Sequence, residues 1–248
     1  MAAHPFTLVL GGGNALGAYQ AGVYQALREA GRLPDWVVGM SAGAINGALT
    51  AGNAPDHRVA RLREFWQPGT PGAADFWPAP IETMRRTAAA IVTLGAGRPG
   101  VFGPVGSLGS WWMPDAAVAA PALFDTKPLA PMLARLADFD RLNAGTPRYT
   151  AGAVDLASSE DVYFDTARAA VTPEHVRASA SLMPSFPPVE IDGRAYVDGG
   201  LSANLPLDPV LQAPDRRWHP KRQCRSCDFL GYGRHAARSG GEQHRYQR

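Results

Sequence analysis

The chain has 248 residues, 46% hydrophobic and 19% charged, with a formal net charge of +2. That length suits one sizeable α/β domain and that composition excludes a disordered chain, while no apolar run reaches the ~18 residues that a membrane span needs. The charge is uneven: residues 216–248 hold 9 Lys/Arg against 2 Asp/Glu, and residues 1–215 hold 15 against 20.

The N-terminus, MAAHPFTLVLGGG, reaches its glycines after a few apolar residues without a basic leader. This predicts a first strand in place of a signal peptide, and a cytoplasmic location. Thr7 to Leu10 is that strand. After Gly11-Gly12-Gly13-Asn14, the spacing of Leu16, Tyr19, Val23 and Leu27 predicts a helix over 15–30, ended by Gly31. Trp36-Val37-Val38 predicts a second buried strand, broken by Gly39-Met40-Ser41-Ala42-Gly43 and followed by a small-residue helix over 44–49. Strand, helix, strand, helix implies a parallel sheet.

Residues 67–128 are rich in Pro and Gly, with Trp66, Trp77, Trp111 and Trp112 interspersed. They read as an irregular insertion or lid. Alternation then resumes, with a helix over 128–136, strands over 149–156 and 162–164, and a helix over 173–181. The last clear segment, Arg194 to Val197, is a short strand that delivers Asp198 into Gly199-Gly200. Cys224 and Cys227 are the only cysteines, so no disulfide framework supports the body.

Gly39-x-Ser41-x-Gly43 fits a nucleophile elbow, in which flanking glycines admit a sharp strand-to-helix turn. The following helix directs its positive end at the serine, favouring negative charge on a substrate carbonyl. A glycine turn holding an ordinary serine is the simpler alternative. The Gly11-Gly12-Gly13 turn supplies side-chain-free amides able to face an oxyanion. A dinucleotide fingerprint starting at Gly11 would need glycine at position 16, where Leu16 stands, and the second strand does not end in an acid. Ser41 needs a base. His4, His57 and His175 occupy no evident strand end, whereas Asp198 does. A carboxylate whose pKa is raised by burial can accept a serine proton, so a two-residue device is chemically sufficient. A turn aspartate is the plain alternative for Asp198, and Asp155, also after an apolar strand, is its rival.

Together, GGGNALGAYQAGV, GMSAG, ASASLMPSFPPV and VDGGLSANLP resemble the ordered sequence blocks of patatin-like phospholipases, across roughly residues 5–212. The resemblance implies a three-layer α/β/α fold with a mostly parallel central sheet and a Ser41/Asp198 dyad. It implies an oxyanion hole from Gly11, Gly12, Gly13 and Asn14, with Gly39, Gly43, Gly199 and Gly200 supporting the turns. It further implies hydrolysis of acyl esters, of phospholipase A, lysophospholipase or carboxylesterase type, on a lipid or acyl-ester substrate. No metal, cofactor or nucleic-acid partner is expected. Many relatives carry a fourth glycine where Asn14 stands and a basic residue where Leu16 stands. Loss of that cation shifts the expectation toward a neutral ester.

The aromatic insertion, including the apolar residues 88–97 between Arg86 and Arg98, offers packing or peripheral membrane contact. The domain is expected over 1–215. The tail 216–248 is basic and aperiodic where a strand and covering helix belong, which reads as a frameshift near Asp215 that leaves the fold incomplete at its C-terminus. Cys224 and Cys227 with His219 and His235 offer zinc ligands as another reading, and either histidine could complete a Ser-His-Asp triad. A non-catalytic lipid-binding protein is a further alternative.

Overall fold

Short apolar runs make the centre of the sheet. In the computed structural model, which describes residues 6–67, 93, 97–104 and 122–213, β1 (Thr7–Leu10) pairs in parallel with β2 (Trp36–Met40), and β2 with β5 (Arg148–Asp155). Every residue of β2 is buried, as a parallel strand covered on both faces requires. A small outlying pair, β3 (Gly103–Pro104) and β4 (Phe124–Asp125), runs antiparallel beside a cluster of Phe102, Phe124 and Phe186.

The register around β5 decides where the chain ends converge. One edge of β5 carries β6 (Asp161–Asp165), antiparallel, with Gly152 opposite Tyr163 and Ala153 opposite Val162. The other edge is shared: β2 occupies it up to Met40 opposite Gly152, and β8 (Arg194–Asp198) takes over with Asp198 opposite Ala153. Because β2 is parallel to β5 and β8 antiparallel, the two strands run toward one another and their C-terminal ends meet. β7 (Val189–Ile191) reaches β8 through Asp192-Gly193, whose φ values of 51° and 75° suit a two-residue hairpin turn.

The helices include α1 (Gly17–Glu29), α2 (Ala42–Ala51), α3 (Arg58–Trp66), α4 (Leu129–Leu136), α5 (Phe139–Asn143), α6 (Pro173–Ser179) and the one-turn α7 (Asp208–Leu211). α2 is buried along its whole length, which its Ala- and Gly-rich sequence permits by letting the helix lie close to the strands. Leu8, Leu10, Val37, Tyr149 and Ala151 of the sheet meet Ile45, Leu49, Leu133 and Val176 of the helices in the main core. On the opposite face Val9, Trp36 and Val38 pack with Val210 and Ala213, and among the described residues α7 is the helix of that layer.

The chain thus has the expected mixed α/β fold, with β1, β2 and β5 parallel at its heart. α3, α5 and the β7–β8 hairpin add to the elements that periodicity predicts. Trp66 belongs to α3 and not to the irregular insertion. Trp77, Trp111, Trp112 and the basic tail lie outside the described residues.

Two glycine substitutions should separate backbone propensity from close packing. Gly22 lies in α1 with nothing within 4 Å of the position a Cβ would take, whereas a Cβ on Gly43 would fall 2.2 Å from the carbonyl oxygen of Leu10. Gly22→Ala should stabilise the protein by about 0.5–1 kcal/mol. Gly43→Ala should destabilise it by about 1–3 kcal/mol or more. Denaturant melts of the two variants check both signs.

Candidate active site

β2 must become α2 within one residue, and Ser41 carries the strain. Its φ of 55° and ψ of −123° lie in a region that costs an L-residue about 1–3 kcal/mol. Tight packing enforces it: a Cβ on Gly39 would sit 2.4 Å from the carbonyl oxygen of Gly43, and one on Gly43 would enter the backbone of Leu10 and Gly11. The Ser41 amide donates to Oγ of Ser179 at 3.1 Å, from the buried last residue of α6. Ser41 itself stays partly exposed at the carboxyl end of β2, where open α/β sheets present their ligand sites.

Asp198, at the end of β8, is only 1% exposed. Its amide donates to the carbonyl of Ser181 at 3.0 Å, and its Oδ1 accepts the Gly200 amide at 2.7 Å. The Ser41 side chain neighbours the same carboxylate and favours its ionised form. Burial pushes this carboxyl above the ordinary aspartate range, outweighing the lowering by the neighbouring Ser41 side chain and the Gly200 hydrogen bond. The meeting of the strand ends is tight enough that a Cβ on Gly199 would lie 2.2 Å from Sδ of Met40.

The glycine turn after β1 closes the third side. A Cβ on Gly12 would come 3.1 Å from Cβ of Ser41 and 2.5 Å from Oδ1 of Asn204, so backbone lies directly against the serine. Gly13 and Asn14 take positive φ, 153° and 50°, which asparagine tolerates better than other side-chain-bearing residues. The Gly12 amide donates to the carbonyl of Asn204 at 3.0 Å, so it is committed. The amides of Gly13 and Asn14 have no acceptor among the described residues. Leu16 and Tyr19, in the segment that follows, and Leu201, just after Asp198, are exposed apolar side chains.

Ser41, Asp198 and the Gly11–Asn14 turn are therefore brought together, while the rival residues are occupied elsewhere. Asp155 accepts the amides of Ala157 and Ser158 at 2.9 and 3.1 Å and pairs with Arg194 at 2.6 Å. Those partners, the Ser158 amide first, hold its carboxyl below the ordinary range. It is an ionised turn cap. His57 is exposed beside Asp56 at the start of α3. His175 accepts the Thr172 amide on Nδ1 at 2.9 Å, capping α6, and burial lowers its pKa. His4, His219, His235, Cys224 and Cys227 lie outside the described residues. Among the described residues no cluster of three or more His, Cys, Asp or Glu suits a metal ion. A surface cleft of about 490 Å³, lined by Asn53, Arg61, Arg135 and Asp138, shares no residue with the Ser41 site.

Two site residues escape a reading of the sequence. Asn204 lies in the SANLP stretch after Asp198 and straps the glycine turn through its backbone. Ser179 lies in the ASASL stretch and holds the Ser41 amide. Both belong to segments that resemble the family, but a hydrogen bond to a distant backbone leaves no periodicity or composition signal.

The family described as patatin-like phospholipase matches residues 8–211. Uncharacterized NTE family proteins of Mycobacterium bovis and Mycobacterium tuberculosis are 27% identical over 205 residues, covering 82% of this chain and 44% of their own length. The chain thus spans less than half of these curated relatives. A lysophospholipase of Aspergillus terreus is 57% identical over 47 residues, 19% of this chain and 3% of its own. Among solved structures, VipD from Legionella pneumophila aligns with a TM-score of 0.43 at 18% identity, over 81% of this chain and 46% of that one. The match spans all three turns that converge on Ser41, and the chain belongs to the patatin-like phospholipase family.

Proposed function

We propose that this chain hydrolyses acyl esters of lipids, with Ser41 as nucleophile and Asp198 as its proton acceptor. The observation that carries the reading is the convergence of Ser41, one residue past the end of β2, on a buried carboxylate at the end of β8 whose pKa is raised. Such a carboxylate is basic enough to take the serine proton without a histidine.

Ser41 Oγ attacks the ester carbonyl as Asp198 takes its proton, and the carbonyl π electrons move onto oxygen. The Gly13 and Asn14 amides, with the positive end of α2, stabilise that oxyanion. The tetrahedral intermediate collapses by breaking the bond to the leaving alcohol, which takes the proton from Asp198. Water, deprotonated by Asp198, then attacks the acyl-enzyme, and Ser41 leaves with the proton restored. The Gly12 amide, engaged by Asn204, positions the turn and makes no contact with the oxyanion.

The exposed Leu16, Tyr19 and Leu201 give the segments flanking the site an apolar character that suits an acyl chain or lipid surface better than a charged headgroup. Neutral or lysophospholipid-type esters fit this better than strongly anionic phospholipids. No helix among the described residues is long and apolar enough to cross a membrane.

Hydrolysis of p-nitrophenyl esters by Ser41→Ala and Asp198→Asn should fall by about 10³-fold or more. Full activity in either variant would overturn the assignment. Activity should rise with pH through the raised pKa of Asp198, because the protonated acid cannot accept the serine proton, and a pH–rate profile of the wild type measures this.

The same burial fixes a stability effect of defined sign. The folded state holds the Asp198 proton more tightly than the unfolded state, so this group's contribution falls as pH rises from the ordinary value of 3.8 through the raised one. Asp198→Asn should therefore raise the Tm at pH 7 while abolishing turnover. The gain should vanish below pH 3.8. Thermal melts across pH check it.

A further inference from the structure

A buried chain of polar side chains runs from α3 to the glycine turn. The Trp66 indole donates to Oδ1 of Asn46 at 2.7 Å. Asn46 Nδ2 donates to Oε1 of Gln20 and to the carbonyl of Gly17, both at 2.9 Å. Gln20 Nε2 donates to the carbonyl of Gly11 at 2.8 Å. Gln20 is 9% and Asn46 2% exposed, so these groups have little water to exchange with and their partners matter.

The direction of the chain is set at one end. An indole N–H can only donate, so Asn46 must present its oxygen to Trp66 and its NH₂ to Gln20. Gln20 must then present its oxygen to Asn46 and its NH₂ to Gly11. Trp66 cannot easily move: its ring occupies the space a Cβ on Gly17 would need, at 2.5 Å, and Arg98 stacks on it with its guanidinium 5.1 Å from the ring centre.

At the far end the chain meets a single peptide group. The carbonyl of Gly11 is held by Gln20 at 2.8 Å, and the N–H of the same peptide plane, on Gly12, is held by the Asn204 carbonyl at 3.0 Å. A peptide gripped at both poles cannot rotate about its flanking bonds, although glycines are the residues that rotate most freely. The next two amides along the chain are those of Gly13 and Asn14. We infer that Gln20 and Asn46, oriented by Trp66, are positioning residues that lock the Gly11–Gly12 peptide and thereby aim the Gly13 and Asn14 amides at the oxyanion. This rests on the reading of the chain as an ester hydrolase.

The side chains touch no substrate, so their removal should act through geometry. A misplacement of about 1 Å at such a site costs on the order of 10²-fold in rate. Gln20→Leu keeps bulk and burial but grips nothing. As a carboxylate, Asn46→Asp still accepts from Trp66 but cannot donate to Gln20, which must turn its NH₂ toward the new side chain and its oxygen toward the Gly11 carbonyl. Asn46→Asp should thus mimic Gln20→Leu without touching the turn.

The test uses the full chain with a p-nitrophenyl ester and a trifluoromethyl ketone, an inhibitor that forms a serine hemiketal and needs the oxyanion hole. Each variant should lose about 10- to 100-fold in kcat with KM unchanged, and weaken ketone binding by a matching factor. The double variant should lose no more than the worse single one, because both act through one peptide. A Gln20→Leu protein that melts cooperatively and keeps wild-type kcat and ketone affinity overturns the inference, as does a double variant whose losses multiply. Should Gln20→Leu not fold, Gln20→Glu, which still accepts from Asn46 but as a carboxylate offers Gly11 no donor, carries the same expectations. A wild-type chain that neither hydrolyses the ester nor binds the ketone overturns the functional reading itself; wild-type activity with an indifferent Gln20 variant overturns only the positioning role.

Discussion

Everything at the candidate site depends on two strands sharing one edge of a third. β2 ends opposite Gly152 and β8 ends opposite Ala153, so a serine one residue past β2 and an aspartate closing β8 are driven together by backbone hydrogen bonding alone. No long side chain has to reach across the sheet. The carboxylate arrives by this route in a place that water barely enters, which raises its pKa. The same burial is a liability for stability, since an ionised carboxylate is poorly solvated there.

The rest of the local architecture serves that meeting. Ser41 holds a strained backbone because Gly39, Gly43 and the Leu10–Gly11 backbone are packed too closely for anything but hydrogen at the glycine positions. Ser179 and Ser181, around the end of α6, grip the amides of Ser41 and Asp198 respectively, so one helix terminus registers both partners. Asn204 and Gln20 then fix the glycine turn against them. Strain of this kind persists only where neighbours over-determine the backbone, and here each strained or glycine-bearing turn has a named neighbour that does so.

What could be read from residues alone follows the same physics. The turns around Gly11–Asn14, Ser41 and Asp198 were legible because close backbone approach demands glycine, and glycine at fixed spacing is visible. Apolar runs located β1, β2, β5 and β8 for the same reason. Asn204, Ser179, Gln20 and Asn46 were not legible, because each acts through a hydrogen bond to a partner on another element. Trp66 read as one of several aromatics in a Pro-rich stretch, since nothing in composition tells an indole that closes a helix and donates inward from one in a loop. Asp155 and Asp198 looked alike as carboxylates after apolar strands. Only their partners separate them: amides and an arginine keep Asp155 ionised, while burial beside a serine raises Asp198.

The central claim is that Ser41 is made nucleophilic by Asp198 and by no other group. The most direct measurement is peptide mass mapping of the adduct formed when the wild-type chain and its Asp198→Asn variant react with a fluorophosphonate. The account predicts a single phosphonylated peptide carrying Ser41 in the wild type, and its loss in the variant. Labelling at another serine, or equal labelling of Ser41 in both proteins, would contradict it.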